Sequence, residues 1–137
     1  MQFLPIDEYN IFHLQDFIET MGDSSNSFRY YNNRSAEEVI KNHMTTFLLF
    51  DGLSVGYGHL DVEDDKVWLG ICVNEKHTGK GYGKNIMQKL VTSHDGDIHL
   101  SVDKDNKEAI NLYKLFSFKE IDSNDEVYFM KRNATSL

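Results

Sequence analysis

The chain has 137 residues and a mass of 15.9 kDa, 40% hydrophobic and 12% aromatic, which fits one compact domain and leaves no room for a second core. Twenty-two acidic against 14 basic residues give a net charge of −8, a surface that repels phosphate backbones and excludes nucleic acid as an expected partner. Disorder is excluded by the apolar content. The lone cysteine Cys72, a first segment MQFLPIDEYN unlike an export signal, and no apolar run near the roughly 20 residues of a membrane span predict a soluble, cytoplasmic protein with no membrane partner.

In chain order, a short N-terminal strand precedes a helix over about Asp7 to Met21, on which Ile11, Leu14, Phe17, Ile18 and Met21 recur at helical spacing. The polar stretch Gly22 to Asn33 is too aromatic for a passive tether and reads as a binding loop. Ser35-Ala36-Glu37-Glu38 has the form of a capping box, with Ser35 as the cap and Glu38 reaching back, so a second helix is expected to about Met44. Thr46 to Phe50, Ser54 to Val62 and Val67 to Val73, joined by Asp51-Gly52 and the acidic turn 63–66, read as an antiparallel meander. Tyr82, Ile86 and Leu90 mark a third helix ending near His94, and Ile98 to Val102 a strand. Ala109, Leu112, Tyr113 and Phe116 define a fourth helix, with Asp105 expected as its cap and Glu108 at its third position. Strands near Phe118 to Ile121 and Val127 to Lys131 close an α+β domain over 1–132, and residues 133–137 are expected to fray. Its sheet is mixed, because a strand-helix-strand crossover forces one parallel pair.

The segment Val73 to Lys84, VNEKHTGKGYGK, opens the third helix with Gly79, Gly81 and Gly83. Glycine costs ~1 kcal/mol in a helix relative to alanine, so three of them here require a reason beyond propensity. A helix N-terminus presents unpaired N–H groups and the positive end of the dipole, and bare backbone lets a phosphate approach them. From Lys76 to His94 there is no acidic residue, while Lys76, Lys80, Lys84 and Lys89 are basic. The Walker pattern fails, since Gly83-Lys84 is preceded by Thr78 and followed by Asn85, and the dinucleotide fingerprint fails at Lys84. A turn made for close helix packing is the alternative.

Strand, Gly-Lys-Gly-Tyr-Gly-Lys, helix, and then the run Asn106 to Phe118 together resemble the GNAT superfamily of acyl-CoA-dependent N-acetyltransferases. The motifs cover Val67 to Phe118, and the predicted order of elements matches the family over nearly the whole chain. The resemblance implies a GNAT-like mixed, mostly antiparallel central sheet of about six to seven strands flanked by four helices. Its glycine pattern falls on Thr78, Gly81 and Gly83, with Thr78 where Gln or Arg is usual, although Thr78 can still cap the helix. Ser117 replaces the glycine usual before Phe118.

The resemblance implies acetyl-CoA as co-substrate, with the pantetheine arm on the strand Ile71-Cys72-Val73 and the pyrophosphate on Thr78, Gly79, Lys80, Gly81, Tyr82, Gly83 and Lys84. It places Asn106 at a cofactor contact, although Asn near a helix start is equally an ordinary cap. Tyr113 matches the tyrosine that protonates the departing sulfur, against a bland reading as a core tyrosine with its hydroxyl satisfied. An alkyl ammonium must lose a proton before it attacks, and the position where relatives often carry a carboxylate is Ser101. His59 and Asp61, on one face of a strand, are the candidate bases, with Glu75 and His43 behind them and a water chain as alternative. No two histidines have metal-ligand spacing, so no metal site is expected.

In the polar loop, Arg29, Tyr30, Tyr31 and Arg34 interleave arginines with rings, which suits a flat ligand with an anionic group such as a nucleotide-linked amino sugar. Aromatics that plug the core beside solvated arginines are the bland alternative, and the overall acidity would instead welcome a polyamine. The expected function is acetyl transfer to a primary amine of a small molecule, by direct attack in a ternary complex. Acetylation of a protein N-terminus or lysine and a non-catalytic acyl-CoA-binding module are the rivals, and a homodimer is open.

Overall fold

The computed structural model describes residues 1–135. Among them run β1 (Gln2–Pro5), α1 (Ile11–Thr20), α2 (Ala36–Val39), β2 (His43–Phe50), β3 (Ser54–Glu63), β4 (Lys66–Val73), α3 (Tyr82–Thr92), β5 (Ile98–Asp103), α4 (Lys107–Leu115), β6 (Lys119–Ser123) and β7 (Val127–Arg132). The seven strands form one sheet in the order β1-β2-β3-β4-β5-β7-β6. Every neighbouring pair is antiparallel except β4 and β5, which the α3 crossover forces to run parallel. This is the mixed, mostly antiparallel sheet with four helices that the sequence led us to expect.

Strand alternation sorts side chains onto two faces. On β2, Phe47 and Leu49 join Leu60, Leu69, Ile86, Leu90, Ile98 and Leu100 in the core under α3 and α4. Leu48 points the other way and packs with Ile6, Leu14, Phe17 and Tyr57 under α1. The sheet is therefore a wall between two apolar layers, and polar side chains on its α1 face sit where helical cover gives out.

Several element ends and caps differ from expectation. The first helix starts at Ile11 because Asp7 and Asn10 trap the preceding turn: Asp7 Oδ1 accepts from the Tyr9 and Asn10 amides, and Asn10 Oδ1 accepts from the Asp7 amide. Ser35 holds the N-cap position of α2, but its side chain makes no capping bond, so the expected capping box does not form. That helix yields to a 3-10 turn over Ile40–Asn42, and Met44 lies in β2. The cap of α4 is Asn106 rather than Asp105, since Asn106 Oδ1 accepts from the Ala109 amide at 3.3 Å. Phe118 belongs to the core, and β6 begins one residue later. The Ala134 amide donates to Asp97 Oδ1 and the Thr135 amide to the Asp95 carbonyl in the turn after α3, and the last two residues of the expected frayed tail lie outside the described range.

Ser117 ends α4 with φ at +71°, the left-handed region in which a Cβ is strained. The amides of Phe116 and Phe118 both donate to the Tyr113 carbonyl across this residue, which is the closure a glycine ordinarily makes. Ser117→Gly is expected to stabilise the fold by about 1 kcal/mol, read as a higher urea midpoint at unchanged slope.

Candidate active site

The parallel pair β4 and β5 meets only at Trp68 opposite His99, and beyond that point the strands part. The Asn74 amide donates to the Val55 carbonyl at 2.9 Å, so alternation aims the backbone of Gly70 and Cys72 at β3 and that of Ile71 and Val73 into the gap. No strand pairs with those groups there. Ser24 Oγ, from the loop after α1, donates to the Val73 carbonyl at 2.8 Å. The gap opens into a cleft of about 920 Å³ that reaches from Trp68 past Tyr113 to the start of α3.

At that start, Gly79 and Gly81 have φ of +80° and +83°, and a Cβ on either would meet nothing within 4 Å. Their glycines are required by backbone shape, and the space before them is free. Gly83 differs: its Cβ would lie 3.2 Å from Leu112 Cδ2, so this glycine lets α3 approach α4. The packing alternative is thus right for one glycine of the three. The first helical bond runs from the Asn85 amide to the Gly81 carbonyl, which leaves the amides of Tyr82, Gly83 and Lys84 without partners in the helix. Tyr82 Oη donates to Asp51 Oδ2 at 2.6 Å and pins this end to the turn between β2 and β3. Thr78 does not cap α3, because Gly81 holds that position and the Thr78 hydroxyl donates to the Glu75 carbonyl. Thr78, Gly79, Gly81, Tyr82, Gly83 and Lys84 line the cleft, whereas Lys80 does not.

Asn106 also lines the cleft while its side chain caps α4. Tyr113, two residues before the end of α4, packs on Phe118 and borders the cleft; its hydroxyl has no protein partner among the described residues. Burial, with Cys72 nearby, raises its pKa and keeps the phenol protonated. Cys72 sits across the sheet 3.7 Å from Met21 Sδ, and burial pushes its thiol up to about 12. Its backbone is committed to β3, so of the three residues expected to bind cofactor on β4 only Ile71 and the amide of Val73 present open main chain.

The other half of the cleft lies on the α1 face. Tyr57, His59 and Asp61 alternate inward on β3, and the register sets His43 opposite Asp61 and Thr46 opposite His59. Tyr30 Oη donates to Asp61 Oδ2 at 2.8 Å and lies 2.8 Å from His43 Nε2. With that proton given to Asp61, His43 Nε2–H donates to the phenol oxygen, and the Thr46 hydroxyl, 2.7 Å from Nδ1, donates to the remaining ring nitrogen. Tyr31 Oη contacts Tyr57 Oη at 2.5 Å, and Tyr57 Oη contacts His59 Nδ1 at 2.6 Å. Burial lowers the His43 pKa to about 4, against a partial opposing pull from Asp61, and holds that of His59 well below its ordinary value, so both rings are neutral at pH 7. Asp61 is only 3% exposed and forms no ion pair among the described residues.

Of the loop residues expected to bind substrate, Arg29, Tyr30 and Arg34 line the cleft and Tyr31 does not, being buried under Tyr30. Arg29 grips Asp103 with two bonds of 2.9 and 2.8 Å, which holds that carboxyl below the usual carboxylate range. Arg34 lies over the Tyr30 ring at 4.4 Å and donates to its carbonyl. Thr46, Trp68 and Glu63 escaped the sequence reading; only the register of β2, β3 and β4 brings them to this place.

These features define a cofactor cleft in an α+β sheet, with an amide-lined helix mouth at one end and a buried polar cluster at the other. The Acetyltransferase (GNAT) family matches residues 9–118, and the chain belongs to that family. It is 33% identical over 81 residues to a spermine/spermidine N(1)-acetyltransferase of Bacillus subtilis, covering 52% of this chain and 53% of that protein. The chain spans about half or less of the length of the curated relatives it matches. Among solved structures, a GNAT-family acetyltransferase from Streptococcus pneumoniae superimposes with a TM-score of 0.80 at 14% identity, over 98% of this chain and 99% of that one. The spermidine N-acetyltransferase of Vibrio cholerae, solved in complex with CoA and spermine, gives 0.73 at 14% identity over 95% and 93%. No helix among the described residues is long and apolar enough to cross a membrane.

A Cβ on Gly70 would collide with the His59 ring. Gly70→Ala is therefore expected to cost about 1–3 kcal/mol of stability by overpacking, measured as a lower urea midpoint. Cys72 is expected to stay unreactive toward Ellman's reagent at pH 8 in the folded protein and to react at once in denaturant, because burial keeps its thiolate scarce.

Proposed function

We propose that the chain is an N-acetyltransferase that moves the acetyl group of acetyl-CoA to a cationic primary amine of a small molecule, by direct attack in a ternary complex. The observation that carries the acceptor class is Asp61, a buried carboxylate whose only partner among the described side chains is the Tyr30 hydroxyl. Buried carboxylates are ordinarily paired with a cation, and an incoming ammonium supplies one. The similarity to a spermine/spermidine acetyltransferase supports the same class. The amino-sugar reading loses its support, because Arg29 is occupied by Asp103 and Arg34 covers Tyr30 instead of offering itself to an anion.

Acetyl-CoA lies with its pyrophosphate on the free amides at the start of α3 and its pantetheine arm along Ile71 and Val73, whose main-chain groups then complete the hydrogen bonds that β5 leaves unmade. The thioester thereby points toward the polar cluster. Asp61 receives the ammonium and takes part in removing its proton, the freed nitrogen attacks the carbonyl carbon, and Tyr113 protonates the departing sulfur. His59, neutral and bordering the same cleft, is the second candidate for the base.

Thiol release should be measured over a panel of amines that includes polyamines and amino sugars. Turnover is expected with cationic amines and with none of the anionic ones; stabilisation by acetyl-CoA without turnover on any amine would favour the binding-module reading. Tyr113→Phe is expected to lower kcat about 10²-fold or more while leaving acetyl-CoA affinity unchanged. Asp61→Asn should lower kcat/KM for the amine and leave calorimetric binding of CoA intact, whereas equal turnover would remove the acceptor assignment.

A further inference from the structure

The register that sets Asp61 opposite His43 gathers a donor set that sequence spacing did not show. His43, His59 and Asp61 each offer one ligand atom, and these atoms lie within 4.8 Å of one another on the α1 face of the sheet. We infer that this cluster is a transition-metal site of two imidazoles and one carboxylate, for an ion of the Zn²⁺ class, whose occupancy excludes the amine from Asp61.

Two features argue for a ligand set over a chance meeting of polar groups. Both histidines engage a hydroxyl through Nδ1, His43 with Thr46 at 2.7 Å and His59 with Tyr57 at 2.6 Å. A hydroxyl accepts as readily as it donates, so once an ion displaces the Tyr30 contact the His43 proton can pass from Nε2 to Nδ1, where Thr46 accepts it, and each ring then presents a bare Nε2, which is how metal-binding imidazoles are oriented by their outer partners. The ring centroids lie 4.4 Å apart, which brings the two imidazoles together beside Asp61, and because the rings stack with 29° between their planes one of them turns on binding so that both in-plane lone pairs meet the ion. The composition of the set suits Zn²⁺, Co²⁺ or Ni²⁺ and not Mg²⁺ or Ca²⁺, which take oxygen.

Tetrahedral metal-ligand bonds of about 2.0–2.2 Å set ligand atoms about 3.3–3.6 Å apart, so separations that reach up to 4.8 Å close by about 1 Å on binding. The Tyr30 oxygen now stands 2.8 Å from both His43 Nε2 and Asp61 Oδ2. An entering ion takes over that bridging place, and the Tyr30 oxygen or a water completes its coordination. The ion then holds the carboxylate that the proposed function gives to the ammonium. Only this competition rests on the acetyltransferase reading; the site itself does not.

The test uses untagged protein, with Co²⁺ as spectroscopic probe and Zn²⁺ by calorimetry. One equivalent of Co²⁺ is expected to bind with a visible absorption band of low-coordinate geometry, and Zn²⁺ to displace it and raise the thermal midpoint. His43→Gln and Asp61→Asn should each weaken Zn²⁺ binding at least tenfold, while CoA binding measured without metal stays as in the parent and reports that the variants fold. No saturation by millimolar Zn²⁺, or binding indifferent to both substitutions and so due to histidines outside the cluster such as the half-buried His13, overturns the site. Metal binding as expected with no CoA binding would instead overturn the proposed function and leave the site standing. Zn²⁺ inhibition of turnover, assayed by acetylated product, should weaken as amine concentration rises; inhibition independent of amine overturns the competition.

Discussion

The parting of β4 from β5 after a single paired residue is the constraint from which the rest of the molecule follows. A parallel sheet that continued to pair would satisfy the main chain of Ile71 and Val73 and close the cleft. Left apart, the strands create backbone donors and acceptors in the middle of a sheet, a place where unpaired polar groups are costly unless something enters to meet them. The α3 crossover that makes the pair parallel also delivers the glycine-bearing helix start to the same end of the gap. One topological decision thus builds both the channel and the amide-lined mouth.

The loop between α1 and α2 works as the second wall. It is tied at three separated points, the Asp23 amide to Glu75, Ser24 Oγ to the Val73 carbonyl, and Arg29 to Asp103. These ties carry Tyr30 over the β2 and β3 strands and bring its hydroxyl to Asp61. The consequence is a buried carboxylate held by a phenol and approached by neutral imidazoles, with no ion pair to it among the described residues. A positive charge entering beside a buried carboxylate offsets the cost of its desolvation.

Much of the fold was legible in the sequence because local periodicity and crossover geometry act over short stretches. Ile86 and Leu90 on α3, and Ala109, Leu112, Tyr113 and Phe116 on α4, read directly as helix faces, although on α4 Ile110, outside that pattern, is buried with Tyr113; the meander read from two tight turns. What misled was capping: Ser35 had the right neighbour at Glu38 but made no side-chain bond, while Asn106 took the role expected of Asp105. A cap depends on the approach of the chain before the helix, and one residue's shift in a turn decides which side chain reaches the free amide. The glycine run was legible as a motif, but the division of labour within it was not, since the need for Gly83 arises from Leu112 on a different helix.

The polar cluster was the least legible part. His59 and Asp61 stood out as alternate residues of one strand, but the roles of Tyr30, His43 and Thr46 depend on strand register and on a loop that crosses from the far side of α1. The sequence by itself determined the order of elements, the parallel crossover and the anion-ready start of α3, because these rest on spacing and on the backbone freedom of glycine. Tertiary structure alone decided that Arg29 is spent on Asp103, that Tyr31 is buried, and that two histidines and a carboxylate share one pocket. Contacts of that kind join residues from 16 to more than 70 positions apart, and no local pattern records which of them the folded sheet will bring face to face.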